Sequence, residues 1–194
     1  MSFRKEIKFR VSVYEAIKIR EDFIRLGMEP LFPERQINSQ YFDTLDFRTR
    51  SESEEGILPR KKFRVRWYDR VISSLSFEEK TSSVEGRFKI GKKISSENFE
   101  QLLSRGFIDK NYGLMRPSAK ITYKRKYFKF NGLRITFDHS INYQLKSKII
   151  YKDFESVIEI KAPFSCPDDF LQKIFHTSST RFSKYARAFL ISRN

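Results

Sequence analysis

Cysteine, histidine and long apolar runs are nearly missing from this chain, and each absence removes a class of function. The single cysteine, Cys166, has no second thiol to pair with. An internal disulfide and any cysteine-based zinc site are therefore excluded, and the chain suits a reducing compartment. With His139 and His176 as the only histidines, a histidine-cluster metal centre is excluded too. Any metal has to be held by carboxylates, which favours Mg2+ or Mn2+ over zinc. No stretch approaches the roughly 20 consecutive apolar residues that a membrane-spanning helix needs. The opening residues, MSFRKEIKFRV, lack the apolar run of a signal peptide. The expectation is a cytoplasmic chain without a membrane segment.

What is present is positive charge and aromatic bulk. The chain has 194 residues, with 39 Lys and Arg against 24 Asp and Glu, a formal net charge of +15. Twenty Phe and nine Tyr supply large apolar side chains, so the high charge does not signal disorder. There is no internal repeat and no low-complexity tract, and a chain of this length buries one substantial core, so residues 1–194 are expected to form a single domain. The excess of positive charge calls for a polyanionic partner: nucleic acid, an acidic membrane surface or a phosphate-rich small molecule.

Alternation at period two dominates the rest. Glu6, Lys8 and Arg10 share one face of the first segment and Ile7, Phe9 and Val11 the other. Residues 37–43 alternate less cleanly. Next, Arg60, Lys62, Arg64 and Arg66 oppose Phe63, Val65 and Trp67. Glu78 and Lys80 lie opposite Phe77, and Arg87 and Lys89 opposite Phe88 and Ile90. Arg134, Thr136 and Asp138 oppose Leu133, Ile135 and Phe137, and Glu159 and Lys161 oppose Ile158 and Ile160. These read as antiparallel strands with one apolar and one charged face. Ser12-x-x-Glu15 is a capping box that opens a helix with Val13, Ile17, Phe23 and Ile24 on one face and Gly27 as its stop. Ser95 or Ser96 opens a second helix, carrying Phe99, Leu102 and Leu103 and ended by Gly106. Pro167 starts a third, and residues 182–191 form a fourth. Residues 44–59, with their acidic island, read as a loop or short hairpin. The class is α+β, dominated by strands.

The charged faces are unusual because several place Arg or Lys at every second position. Like charges on neighbouring strands repel, so a bound polyphosphate would relieve the arrangement. If the sheet closes into a barrel, these faces line a polar tunnel while the apolar faces pack outward on helices. The alternative is a basic outer surface, since alternation alone does not say which face is inside. The aromatics argue against nucleic acid: Phe63, Trp67 and Phe88 sit opposite the cations, whereas base-stacking platforms need aromatics among them. Two apparent motifs dissolve on inspection. Gly86-Arg87-Phe88-Lys89-Ile90-Gly91-Lys92-Lys93 has the glycine spacing of a P-loop but no Ser or Thr for magnesium, and its interior alternates like a strand. Asp138-His139-Ser140 holds the residue types of a hydrolase triad, but successive strand side chains point to opposite faces and cannot converge.

Read in order, the motifs Glu6-x-Lys8, Tyr41-Phe42-Asp43-Thr44, Arg64-Val65-Arg66-Trp67-Tyr68, Glu78-x-Lys80, Tyr123-x-Arg125, Arg134-x-Thr136-x-Asp138, Glu159-x-Lys161 and Phe182-Ser183-Lys184-Tyr185 resemble the VTC, or polyphosphate polymerase, domain. That family belongs to the triphosphate tunnel metalloenzymes, relatives of the CYTH proteins. The resemblance implies an antiparallel β-barrel with flanking helices, whose tunnel takes a triphosphate and Mn2+ or Mg2+. It implies transfer of the γ-phosphate of ATP to a growing inorganic polyphosphate chain, with pyrophosphate or triphosphate as further ligands. By matching positions, Lys8, Arg64, Arg66, Lys80, Arg125, Arg134 and Lys184 are expected to grip reacting phosphates. Arg60, Lys62, Tyr123, Lys161, Arg181 and Ser183 are the supporting anion-binding set. Glu159 is the expected metal ligand, with Asp138 and Glu6 as further ligands or their partners. Arg181 stands where eukaryotic members of the family tend to have Lys, which replaces a point charge by a planar fork.

Phosphoryl transfer asks the protein mainly to hold phosphates in line and neutralise developing charge. A terminal phosphate acceptor is already anionic, so the lack of a histidine base is no obstacle. Two alternatives share the same residues. With water as acceptor the chain is a metal-dependent inorganic or nucleoside triphosphatase; without turnover it is a polyanion-binding module.

Overall fold

The structure is a computed structural model and describes residues 4–69, 71–145, 149–163, 165–167 and 182–192. Among the described residues there are ten strands: β1 (Arg4–Ser12), β2 (Glu29–Asp43), β3 (Arg60–Tyr68), β4 (Val71–Ser83), β5 (Gly86–Lys93), β6 (Phe107–Asp109), β7 (Gly113–Phe130), β8 (Leu133–Gln144), β9 (Ile150–Lys152) and β10 (Glu155–Pro163). The described helices are α1 (Val13–Arg25), α2 (Arg48–Glu55), α3 (Ser96–Arg105) and α4 (Lys184–Ile191). Hydrogen bonding orders the strands β1-β10-β8-β7-β2-β3-β4-β5, with β6 on β7 and β9 on β8. The registered pairings are antiparallel, so the fold is α+β on an antiparallel sheet, as the alternation requires. The third expected helix, from Pro167, lies outside the described residues, as does Arg181.

The chain gathers into two compact units. The first comprises residues 1–36, 123–141 and 152–182, the second 37–122, 142–151 and 183–194. In the first, β1 pairs with β10 and β10 with β8, so that Phe9, Val11, Ile135, Phe137, Ile158 and Ile160 collect on one side as a core, and α1 lies against it through Ala16 and Phe23. The capping box forms as expected: Ser12 N–H donates to Glu15 Oε2 at 2.8 Å and Glu15 N–H to Ser12 Oγ at 3.1 Å. The buried stripe of α1 differs from expectation, because Val13, Ile17 and Ile24 are about half exposed. Ala16, together with the expected Phe23, makes the contact instead.

In the second unit the core is Phe42, Phe63, Val65, Leu75 and Met115, with Trp67, Phe77, Phe99 and Leu102 packed against it, so α3 covers this apolar face. Ser95 caps α3, its side chain accepting from Asn98 N–H at 3.1 Å. Gly106 ends it at a φ of +73°, where a Cβ would meet the Met115 carbonyl oxygen at 2.1 Å, so no other residue fits without moving backbone. The acidic stretch expected to be a loop holds α2. Arg48–Glu52 and Arg50–Glu54 pair at i,i+4, at 3.0 Å each, and the Asp43 carboxylate, from outside the helix, accepts from the N–H groups of Thr49 and Arg50 at 2.9 and 3.1 Å. Residues 86–93, the P-loop look-alike, are strand β5.

Candidate functional site

Each unit carries a charged strand face opposite its core, and the two faces differ in chemistry. In the second unit the register puts Tyr41, Arg64, Glu78 and Gly91 in one row across four strands, and Ser39, Arg66, Ser76 and Lys93 in the next. The row on the other side is Lys62, Lys80 and Lys89, three ammonium groups on directly opposed positions of β3, β4 and β5. Arg60, Ser82 and Arg87 follow. By register β3, β4 and β5 present Arg60, Lys62, Arg64, Arg66, Lys80, Arg87, Lys89 and Lys93 on this face, and a single carboxylate, Glu78.

That carboxylate is buried, 5% exposed, and held from three sides. Arg64 reaches Glu78 Oε2 with Nε at 2.7 Å and Nη2 at 2.6 Å, Lys89 donates to Oε1 at 2.7 Å, and Arg66 Nη1 lies 4.0 Å away. Burial works to raise the Glu78 carboxyl, but Arg64, Arg66 and Lys89 outweigh it and bring its pKa to about 2. Arg64 is also fixed at its other end, Nη1 donating to Tyr41 Oη at 3.0 Å. Burial likewise works to raise the Tyr41 phenol, yet Arg64, Arg66 and Lys62 outweigh it and lower its pKa to about 8. Beneath Tyr41 its ring stacks on Tyr185, centroids 4.8 Å apart. Tyr185 Oη donates to Asp43 Oδ2 at 2.6 Å, so the Asp43 carboxylate ties α4 to the start of α2. Burial, reinforced by Asp43, pushes the Tyr185 phenol well up, and it stays protonated as that donor.

Arg66 is held differently from Arg64. Its Nε is buried without a hydrogen-bond partner, and so is Ser39 Oγ, directly opposite it in the register. Unpaired buried donors cost about 1–3 kcal/mol each until an acceptor arrives. At the edge of this set, Lys62 Nζ donates to Ser183 Oγ at 3.1 Å, and Ser183 caps α4 by accepting from Ala186 N–H at 3.5 Å. Lys184 is the first residue of α4, so Lys62, Ser183 and Lys184 come together where free helix N–H groups favour anions. Arg60 donates from Nη1 to the Ile57 carbonyl at 2.9 Å.

The first unit's face is balanced. Arg125, 9% exposed, grips the fully buried Asp138 through two parallel bonds, Nε to Oδ1 at 2.5 Å and Nη2 to Oδ2 at 2.7 Å. Arg125 Nη2 also lies 3.6 Å from Glu159 Oε2, and Lys161 Nζ 3.3 Å from Glu159 Oε1. Burial works to lower the Arg125 pKa, but Asp138, Tyr123 and Glu159 raise it well above the ordinary value. Its guanidinium carbon lies 5.4 Å from the centre of the buried Tyr123 ring. Across the ladder Lys8 is opposite Glu159 and Thr136, and Glu6 opposite Lys161 and Arg134. Lys8 Nζ pairs with Glu6 Oε1 at 3.1 Å. Arg134 leans toward the Tyr127 ring at 6.0 Å, and its Nε, like that of Arg66, is buried without a partner.

The carboxylates expected to hold a metal can be tested against this geometry. Both oxygens of Asp138 are engaged by Arg125, Glu6 is paired with Lys8, and no group of three or more His, Cys, Asp or Glu able to hold an ion occurs among the described residues. Glu159 is buried with looser cation contacts, 3.3 and 3.6 Å. Among the described residues Glu159 is therefore the carboxylate that could contribute to holding a divalent cation, as one ligand and not as part of an all-protein cage.

The triad look-alike partly assembles. His139 Nδ1 and Ser140 Oγ lie 3.2 Å apart, which Ser140 achieves with a φ of 50°, while His139 Nε2 meets Glu34 at 3.1 Å. Asp138 faces Arg125 instead, so no triad results. Glu78, Tyr41, Ser39 and Asp43 are the residues that motif reading left out of the site. Glu78 and Tyr41 stood within quoted motifs, whereas the pairing of Ser39 with Arg66 needs the register.

No helix among the described residues is long and apolar enough to cross a membrane. No curated protein matches the chain. Solved structures share its fold at low identity. A conserved hypothetical protein from Pyrococcus furiosus has a TM-score of 0.59 at 15% identity, covering 94% of this chain and 98% of that one. A putative adenylyl cyclase from Hippeastrum, described as having a dominant triphosphatase activity, has a TM-score of 0.58 at 13% identity, with 97% and 96% covered. A putative adenylate cyclase from Vibrio parahaemolyticus has a TM-score of 0.58 at 16% identity, with 95% and 96% covered. The VTC domain matches residues 3–192, nearly the whole chain, and the protein belongs to the VTC domain family.

Proposed function

We propose that the protein is a metal-dependent polyphosphate polymerase, transferring the γ-phosphate of ATP to the end of an inorganic polyphosphate chain. The observation that carries this reading is the row Lys62, Lys80, Lys89 beside Arg64 and Arg66. So many cations on adjacent strands, with one carboxylate among them on β3, β4 and β5, suit a ligand with several negative charges.

In this reading Arg64, locked by Glu78 and Tyr41, is a fixed anchor for phosphate oxygens. Arg66 offers its unpartnered donor, and Lys80, Lys62, Arg60, Ser183 and Lys184 extend the grip along the chain. On the other face Arg125 is oriented by Asp138, and Lys8, Arg134 and Lys161 add charge around Glu159, with Tyr123 beneath Arg125. A terminal phosphate oxygen of the acceptor attacks the γ-phosphorus as the bond to the bridging oxygen breaks, and ADP leaves with that electron pair. Fixed cations stabilise the charge spreading over the transferred group without having to reorganise. Glu159 would hold Mn2+ or Mg2+, which when bound polarises and neutralises the transferred group.

A second reading, metal-dependent hydrolysis of inorganic or nucleoside triphosphate, is favoured by the triphosphatase activity described for the Hippeastrum relative. It uses the same residues with water as acceptor. Incubation with ATP, Mn2+ and a little pyrophosphate, read by phosphorus NMR and gel, separates the two. Polymer with matching ADP, lost in Glu159→Ala and Arg66→Ala, is expected. ADP with orthophosphate and no polymer moves the assignment to the triphosphatase, and no consumption of ATP or tripolyphosphate leaves a binding module.

A further inference from the structure

We propose that Glu78 is a built-in counter-ion that competes with the bound polyanion for Arg64 and Lys89, and thereby limits how tightly the protein holds its product. The proposal rests on the polyphosphate reading of this face, but its binding arm can be tested without turnover.

Glu78 stands as the one carboxylate among eight cations on this side of β3, β4 and β5, and it sits between the row of three lysines and the row of Arg66. Its two oxygens are taken by N–H donors at 2.6–2.7 Å from two different strands, so it is arranged as an ion-pair acceptor and not as an open metal ligand. Two cations that would otherwise point their donors at phosphate are turned onto it. Lys89 is the movable one, its side chain 53% exposed, so a phosphate oxygen can draw it away. Arg64 cannot leave without abandoning Tyr41 as well. The carboxylate cannot step aside by taking up a proton at ordinary pH, because its cationic neighbours hold its pKa near 2.

The need for such a device follows from the chemistry. A polymer that gains charge at each step binds a cationic face more strongly as it grows, and binding that is equally strong in ground and transition states slows release without speeding transfer. A fixed negative charge among the cations subtracts from both, and allows the chain to advance.

The test measures tripolyphosphate affinity in EDTA by calorimetry for the wild type, Glu78→Gln, Lys89→Gln and the double variant. One unit charge a few ångströms from the ligand shifts affinity by about tenfold or more. Glu78→Gln should bind about tenfold tighter, Lys89→Gln more weakly, and the double variant should return close to wild type. If Glu78→Gln fails to fold, the comparison of Lys89→Gln with the double variant carries the same information, since adding the Glu78 change should again tighten binding. Unchanged or weaker binding on removing Glu78 in either background overturns the proposal and leaves Glu78 a structural clamp. In steady-state polymer synthesis Glu78→Gln should lower KM and kcat together, whereas a purely structural loss lowers kcat and raises KM. Tighter binding with no polymer from any variant leaves the counter-ion role intact and removes the polymerase assignment. Polymer formation with unchanged affinity does the reverse.

Discussion

The charged faces of the two units solve the same electrostatic problem in opposite ways. On the first, most cations are matched, Arg125 with Asp138, Lys161 with Glu159, Lys8 with Glu6 and Arg10 with Glu155, while Arg134 Nε is buried without a partner. On the second, β3, β4 and β5 present eight cations and one carboxylate, Glu78, which takes ion-pair contacts from Arg64, Lys89 and Arg66. A matched face is stable as it stands. A face with an excess of one charge is relieved by an ion of the other sign, and the comparison predicts which residues hold structure and which serve a ligand.

The sharpest way to break the comparison is to remove one arginine from each face. Arg125→Ala leaves the Asp138 carboxylate buried and uncompensated, and should lower stability by about 3–5 kcal/mol in urea unfolding. Arg125→Lys should recover little, because an ammonium cannot make the paired contact. Converting both partners to Met and Asn should restore stability without restoring activity. Arg66→Ala should do the opposite. Its Nε has no partner to lose and its Nη1 is a loose 4.0 Å from Glu78, so stability should fall far less than for Arg125→Ala, while the transfer rate should fall about a hundredfold or more, as on loss of one preorganised donor. If Arg66→Ala unfolds the protein, or Arg125→Ala is as stable as wild type, the division of labour between the faces is wrong.

Which of these features could be read in the chain follows from how local their causes are. Strand faces, the Ser12 and Ser95 caps and the basic rows depend on neighbours one to four residues away, and alternation exposes them. Helix α2 does not announce itself, because Arg48-Thr49-Arg50-Ser51-Glu52-Ser53-Glu54-Glu55 has no apolar stripe. Its N-terminal support is Asp43, six residues before Thr49, and its Glu52 is held by the Tyr112 hydroxyl from far along the chain. Likewise, period two places Glu78 and Arg64 on charged faces but cannot say that they are opposite each other. Register, which the pattern leaves free, turns a row of lysines and a lone glutamate into a site. The same freedom hid the engagement of Asp138 by Arg125.

A pH titration sharpens the comparison on the second face alone. The folded Tyr41 phenol titrates at about 8 against 10.0 when unperturbed. Between those values the unfolded chain carries the proton that the folded one has shed, so stability rises with pH across this window, by about 2–3 kcal/mol in full. Tyr41→Phe should abolish that rise, measured as the difference between the two proteins' unfolding curves from pH 7.5 to 10. On the acid side Glu78 works in the same sense: its contribution is complete above pH 4.5 and is lost as pH falls toward 2. Tripolyphosphate affinity should run against stability in the alkaline window, since an ionised Tyr41 adds a negative charge to the face proposed to hold the anion.

The smallest effect belongs to the first face's rim. Glu6 and Lys8 pair at 3.1 Å with side chains 18% and 27% exposed, a partly solvated pair of the kind that contributes roughly 0–1 kcal/mol. Glu6→Gln should therefore cost less than about 1 kcal/mol, and less again at 0.5 M salt, where screening acts over a few ångströms. Lys8 retains its place opposite Glu159 in the ladder and its contact with the Phe182 carbonyl oxygen at 3.5 Å. Activity should therefore stay within about twofold of wild type if Glu6 only balances Lys8. A drop of a hundredfold, rescued by raised Mn2+, would instead make Glu6 a ligand beside Glu159 and move the rim of the matched face into the chemistry.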